Sequence, residues 1–81
     1  MMSSSSKKLS QLLKGDCAVI ESFTDDIMKL KLLEMGCLPG EEIRVERFAP
    51  LGDPMAISVS GSVISIRIDE AENVLVKSIS K

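Results

Sequence analysis

The side chains that could do chemistry in this chain are few, and their spacing argues against catalysis. There is no His. Acid–base work near neutral pH needs a group that titrates there, and without His a carboxylate or thiol would have to be strongly tuned. Two acidic pairs stand out, Asp25-Asp26 and Glu41-Glu42. Asp25-Asp26 follows Thr24, the pattern of a helix start whose short polar side chains accept from free N–H groups. Glu41-Glu42 follows the turn dipeptide Pro39-Gly40. The serines alternate with apolar residues or lie in the N-terminal stretch, as solvent-facing positions do. Lys14-Gly15-Asp16 is neither a Walker A loop nor a dinucleotide fingerprint. The chain is expected not to be an enzyme and to need no cofactor.

Metal ligation is the other chemistry to weigh. Soft sites need clustered Cys or His, and hard sites need several converging carboxylates. Cys17 and Cys37 lie far apart, without Cys-x-x-Cys spacing. They could converge only through folding, and a buried inert thiol is the stronger reading of such a cysteine. No metal site is expected within one copy. Only a weak site shared between copies stays open.

With 81 residues the chain is one domain, and a domain of this size buries only about 60% of its unfolded surface. Hydrophobic residues make up 44% and aromatics 2%, so the core must be built from Ile, Val, Leu and Met. A net charge of -2 and only two aromatic residues, Phe23 and Phe48, disfavour nucleic-acid binding, which uses basic faces and stacking platforms. Residues 1–8 are Ser- and Lys-rich with no apolar stretch, so they read as a disordered polar tail and not a secretory signal. No apolar run approaches the roughly 18 residues of a membrane helix. With unpaired cysteines, these features lead to an expected cytosolic protein without direct membrane insertion.

The elements that would position any functional residue follow from periodicity. Leu9 to Leu13 is too short for an independent helix and should pack Leu9 and Leu12 across one end of the domain. Strand alternation runs over Cys17–Phe23 with Ala18 and Ile20 inward, over Glu42–Phe48, over Met55–Ser60, and over Val63–Ile68 after a Gly61-Ser62 hairpin turn. A last strand covers Val74–Val76, preceded by the acidic helical turn Asp69–Glu72. One helix begins at Thr24-Asp25-Asp26 and ends near Met35, with Gly36 placed to stop it in a left-handed conformation. Five short strands and one helix between the first two predict a mainly β protein: a small closed barrel, closure being one way to remove exposed edges.

The helix supplies the functional expectation. Met28, Leu32 and Met35 fall at i, i+4 and i+7, a stripe for the core. Ile27, Leu30 and Leu33 lie off that stripe, so the helix carries more apolar surface than a small barrel needs. Cys37-Leu38 follow the helix, and Leu51 sits in the Ala49–Pro54 loop between two prolines. A contiguous exposed apolar patch marks a binding site. Leu30, Leu38, Pro39 and Leu51 are the candidate partner-binding residues. The bland alternative is that Leu9, Leu12 and the barrel rim cover this surface; the electrostatic alternative is a contact set of Lys29, Lys31, Arg44 and Arg47.

Beyond these patterns, the chain resembles a known family. The residues that carry the resemblance are Leu9-Ser-Gln-Leu12, Lys14-Gly15, Lys31-Leu-Leu-Glu-Met-Gly36, Leu38-Pro-Gly40, Ala49-Pro-Leu-Gly-Asp-Pro54, Ile64–Arg67, Glu70-Ala71 and Val74-Leu-Val76. In this order they are similar to the ferrous-iron transport protein A (FeoA) family. Met35 stands where Leu is commoner, and Cys37 where an aliphatic residue is usual. The resemblance implies an SH3-like domain over residues 9–81. It also implies a cytosolic accessory protein of bacterial ferrous-iron uptake, held to the inner face of the membrane by its partner, the Fe(II) transporter FeoB. The family brings no catalytic residues. A related domain ends metalloregulators of the diphtheria-toxin-repressor type, which makes metal sensing or delivery the alternative function. The sequence leaves the oligomeric state and the sense of regulation open.

Overall fold

The structure is a computed structural model and describes residues 6–79. Six strands form one antiparallel sheet: β1 (Lys7–Lys8), β2 (Cys17–Phe23), β3 (Glu42–Phe48), β4 (Met55–Val59), β5 (Ser62–Ile66) and β6 (Val74–Ser78). Their order across the sheet is β1-β6-β2-β3-β4-β5. A 3₁₀ turn at Leu9–Gln11 follows β1, helix α1 (Asp26–Glu34) joins β2 to β3, and the short helix α2 (Ile68–Ala71) joins β5 to β6.

The mainly β architecture with one helix between the first two long strands is as the sequence predicts, and four details differ. A sixth strand exists because Lys7 and Lys8, expected in the tail, pair with Val76 and Leu75 of β6. Residues 1–5 of that tail lie outside the described residues. The β4–β5 turn sits one residue earlier than predicted, at Ser60-Gly61, because Val59 pairs with Ser62. Both turn residues have positive φ, 51° and 81°, the geometry of a two-residue turn that matches the strand twist. The strand then ends at Ile66, and Ile68 opens α2.

The fourth difference is closure. Among the described residues no ladder joins β1 to β5, so the sheet curls without closing. β1 turns into the 3₁₀ turn after two residues and is too short to close it. The curl comes from register shifts in β2 between Ile20 and Ser22 and in β3 between Val45 and Arg47, since an extra residue on one strand increases bend and twist.

The curled sheet wraps an aliphatic core. Leu9, Leu12, Ala18, Ile20, Leu32, Ile43, Val45, Met55, Ile57, Ile66, Val74 and Val76 are all buried. Leu9 and Leu12 come from the 3₁₀ turn and its C-cap, which is why a segment too short to be stable alone keeps its shape. Ala18 and Ile20 face inward as the alternation requires. From α1 only Leu32 is fully buried, with Met28 and Met35 packed partly against the core.

Candidate partner-binding surface

Helix α1 is fixed at both ends by local chemistry. Asp25 is its N-cap, and Asp25 Oδ2 accepts from the Met28 N–H at 3.0 Å. At the other end the Gly36 N–H donates to Leu33 O at 3.1 Å and the Cys37 N–H to Leu32 O at 2.9 Å. This reversal needs a positive φ, and Gly36 has φ 101°. The pair of bonds is a Schellman motif, whose usual hydrophobic contact joins the residue after the glycine to the last turn. That places Cys37 in the core beside Leu32, both at 0% exposure. A buried thiol is the stronger sequence reading of Cys37, and the glycine reversal accounts for it; of the Cys37-Leu38 pair weighed for the outer patch, only Leu38 is exposed.

A partly buried ion pair fixes α1 from the side. Lys31 Nζ donates to Glu70 Oε2 of α2, and Glu70 Oε1 accepts from the Arg67 N–H at 3.1 Å. Glu70 is 5% exposed. The Lys31 hydrogen bond holds its carboxyl below the ordinary value; burial opposes that and the Arg67 N–H reinforces it. Sequence reasoning read Glu70 only as part of an acidic turn. An acid at the third helical position, able to reach back to the residue before the helix, is the local signal for part of this role. Nothing local signals a partner 39 positions away.

Held this way, α1 presents Ile27 and Leu30 to solvent, 80% and 65% exposed. They lie about 60° apart around the helix, on a face away from the Leu32 stripe. Leu33 is half-buried between the two faces. Leu38 is 45% exposed and Pro39 is also exposed, in the turn that follows the helix. That turn is pinned by the Gly40 N–H to Ile20 O at 2.8 Å and the Glu41 N–H to Leu38 O at 3.0 Å.

Leu51 is 96% exposed, but it stands elsewhere. Leu38 precedes β3 and Leu51 follows it. Seven residues of strand separate the two ends, roughly 20 Å at ordinary strand rise. The Leu51 loop is anchored to α2 instead, through Asp53 Oδ1 accepting from the Ile68 N–H at 3.0 Å. Leu30, Leu38 and Pro39 therefore belong to the α1 end of the molecule, and Leu51 is a separate exposed point. Of the four cations of the electrostatic alternative, Lys31 is engaged by Glu70, while Lys29, Arg44 and Arg47 are exposed.

The surface offers little for small-molecule chemistry. Two shallow concavities of about 230 and 270 Å³ lie on the β3–β4 hairpin, one beside Glu42 and Arg44 and the other beside Arg47 and Pro50. Among the described residues no three His, Cys, Asp or Glu side chains converge as a metal site would require. Cys17 is half-buried and Cys37 buried, both as free thiols. No helix among the described residues is long and apolar enough to cross a membrane.

Comparison with known proteins gives this surface a context. The chain is 35% identical, over 74 residues, to an Fe(2+) transport protein A/Fe(2+) transporter FeoB fusion protein of Porphyromonas gingivalis, covering 90% of this chain and 9% of that relative. The chain thus spans a small part of that relative's length. Among solved structures, a FeoA-like protein of Clostridium acetobutylicum superposes with a TM-score of 0.89 at 27% identity, covering 99% of this chain and 93% of that one. A Stenotrophomonas maltophilia FeoA, described as an SH3 domain protein and crystallised with zinc, gives 0.75 at 35% identity, covering 86% and 88%. A manganese-dependent transcriptional repressor gives 0.83 at 14% identity over 98% of this chain and 45% of its own, a likeness of fold alone. The model of the FeoA domain matches residues 7–78, from the first strand to the end of the last. By that match, and by the curled SH3-like sheet just described, the chain belongs to the FeoA family.

Proposed function

We propose that this protein is a non-catalytic accessory subunit of ferrous-iron uptake that binds the cytosolic part of a FeoB-type transporter through the exposed end of α1. The observation that carries this reading is the Porphyromonas gingivalis relative, in which a matching segment and FeoB form one polypeptide. Covalent linkage of two modules makes their meeting intramolecular, with an effective concentration that only interacting partners exploit. The α1 face supplies a contact of the right kind. Ile27, Leu30 and Leu38 are exposed apolar side chains on a helix and turn fixed by a cap, a Schellman motif and an ion pair, so little order must be gained on binding. A net charge of -2 gives weak long-range steering, so binding energy should rest on a few apolar anchors. The protein would work in the cytoplasm at the inner face of the membrane.

The test is binding of the full chain to the purified cytosolic part of the transporter. Leu30→Glu should abolish binding while leaving the fold intact, and raised salt should change it little. Leu51→Glu, on the far side of β3, should weaken it less. If reversing Lys29, Arg44 and Arg47 removes binding while Leu30→Glu binds normally, the contact is electrostatic and the proposed face is wrong. Metal sensing or delivery is the other reading, supported by the repressor-like fold and by the zinc of the Stenotrophomonas maltophilia structure. It is the weaker one here, because the described residues supply no converging ligand set.

A further inference from the structure

The free edge of β5 is unprotected, and its hydrogen-bonding pattern shows what fits it. Backbone direction alternates along each strand, so one known bond fixes the rest. The Val45 N–H and O bond Asp16 and Gly15 on the β2 side. Arg44, paired with Ser58, therefore faces β4. In turn Val59, Ile57 and Met55 of β4 face β5, where they pair with Ser62, Ile64 and Ile66. Val63 and Ser65 are left with both backbone groups pointing outward, and among the described residues no further strand lies there.

Edges of this kind are normally blunted by charge, proline or a bulge. β5 has none of these: no charged residue or proline occurs from Met55 to Ile66. Val63 is 58% exposed, and Ile64, on the core side, is only half-covered. The opposite edge of the sheet differs, because β1 is two residues long and both are lysines.

We propose that β5 is a strand-pairing site for a second copy of this chain, giving a two-fold dimer with β5 antiparallel to β5. Centring the pair on Ile64 sets Val63 opposite Ser65 of the second copy and Ser65 opposite its Val63. Every outward group then finds its partner in a narrow hydrogen-bonded pair. Ile64 meets Ile64 on the core face, covering the half that one copy leaves open. Ser62 falls opposite Ile66 and Gly61 opposite Arg67, so no like charges face each other across the ladder. The short lysine-bearing β1 cannot serve as an alternative partner for β5, so pairing closes at two copies and does not propagate. Five residues of strand make a small contact, so the dimer forms and dissociates with concentration.

Sedimentation equilibrium of the full chain from micromolar to millimolar concentration tests this. The wild-type average mass should rise from 8.8 kDa toward twice that value. Val63→Pro removes an outward N–H without touching the β4 ladder. Val63→Lys places two ammonium groups near each other across the two-fold axis. Each should weaken association by more than about tenfold, with the monomer's far-UV spectrum and Tm retained. Amide exchange gives an independent readout: Val63 and Ser65 should become protected as concentration rises, while Ile64 is protected throughout. The proposal is overturned if the wild type stays at monomer mass at millimolar concentration, or if both variants associate as the wild type does. It is equally overturned if Val63 and Ser65 become protected only on adding the transporter's cytosolic part, which would make β5 a heterologous edge.

Discussion

Lys31 of α1 and Glu70 of α2, 39 positions apart in sequence, meet as an ion pair in which Glu70 is buried and Lys31 half-exposed. The bond joins two helices that otherwise share little packing. It also sets the roll of α1, and with it the direction in which Ile27 and Leu30 point. Glu70 keeps its second oxygen for the Arg67 N–H, so the carboxylate caps α2 and clamps α1 at once.

Acid should therefore loosen this end of the molecule first. The Lys31 hydrogen bond holds the Glu70 carboxyl below its ordinary value of 4.5 in the folded protein. Between the folded and unfolded values the unfolded chain binds the extra proton, so stability rises with pH there. The contribution is present above about pH 4.5 and is lost as pH falls through the folded value. Glu70→Gln keeps an acceptor for the Arg67 N–H but loses the charge. It should cost about 1 kcal/mol at neutral pH, discounted for the half-exposed lysine. Its urea midpoint should also fall less than the wild type's between pH 5 and pH 3, in the range where acid titrates such carboxylates. Parallel pH profiles for the two proteins would show that the pair contributes nothing to acid sensitivity.

Leu32 should dominate the stability that α1 contributes. It is the helix residue at 0% exposure, and it closes the Schellman contact with Cys37. Leu32→Ala removes buried methyl groups and leaves a cavity, with an expected loss of roughly 2–5 kcal/mol by urea denaturation. Leu30→Ala, at 65% exposure, should change stability by no more than about 0.5 kcal/mol. Comparable losses at the two positions would mean the helix is rolled differently.

What the sequence made legible is what local rules govern. The Met28-Leu32-Met35 stripe, the Asp25 cap, the Gly36 stop and the inward faces of Ala18 and Ile20 all follow from spacing or from one residue's conformational range. The errors fall where a distant partner decides. Lys7 and Lys8 are a strand only because β6 offers its edge. The turn falls at Ser60-Gly61 and not at Gly61-Ser62 because β5 pairs with β4 in the register that sets Met55 opposite Ile66 and Val59 opposite Ser62. Nothing local distinguishes that register from its neighbour two residues away, which keeps Ile57 and Ile64 on the same face. Leu38 and Leu51 look like one patch in a list of exposed apolar residues, and the length of β3 separates them. For the candidate surface, the sequence showed which helix residues the core leaves unused, but not the Lys31–Glu70 clamp that aims them.

The two thiols should separate cleanly in reactivity. Cys37 lies in the core behind the Gly36 reversal, and burial pushes its thiol up from 9.0 to about 11. The thiolate is the reactive form, so folded Cys37 is shielded both by access and by protonation. Cys17, half-buried at the start of β2, has the greater access. With iodoacetamide at pH 8 the native protein should take up one label quickly at Cys17, and a second at Cys37 only at the rate of unfolding; in urea both should react together. The same shift predicts an alkaline effect. Above pH 9 the unfolded chain releases the Cys37 proton while the folded chain keeps it until about pH 11. The unfolded state then holds fewer protons, so this contribution to stability falls as pH rises through that window. Cys37→Val fills much of the same space without a titrating group, so its stability should decline less than the wild type's between pH 9 and pH 11. Equal labelling rates for both cysteines in the native protein would place Cys37 outside the core and undo the Schellman packing that orients Leu38.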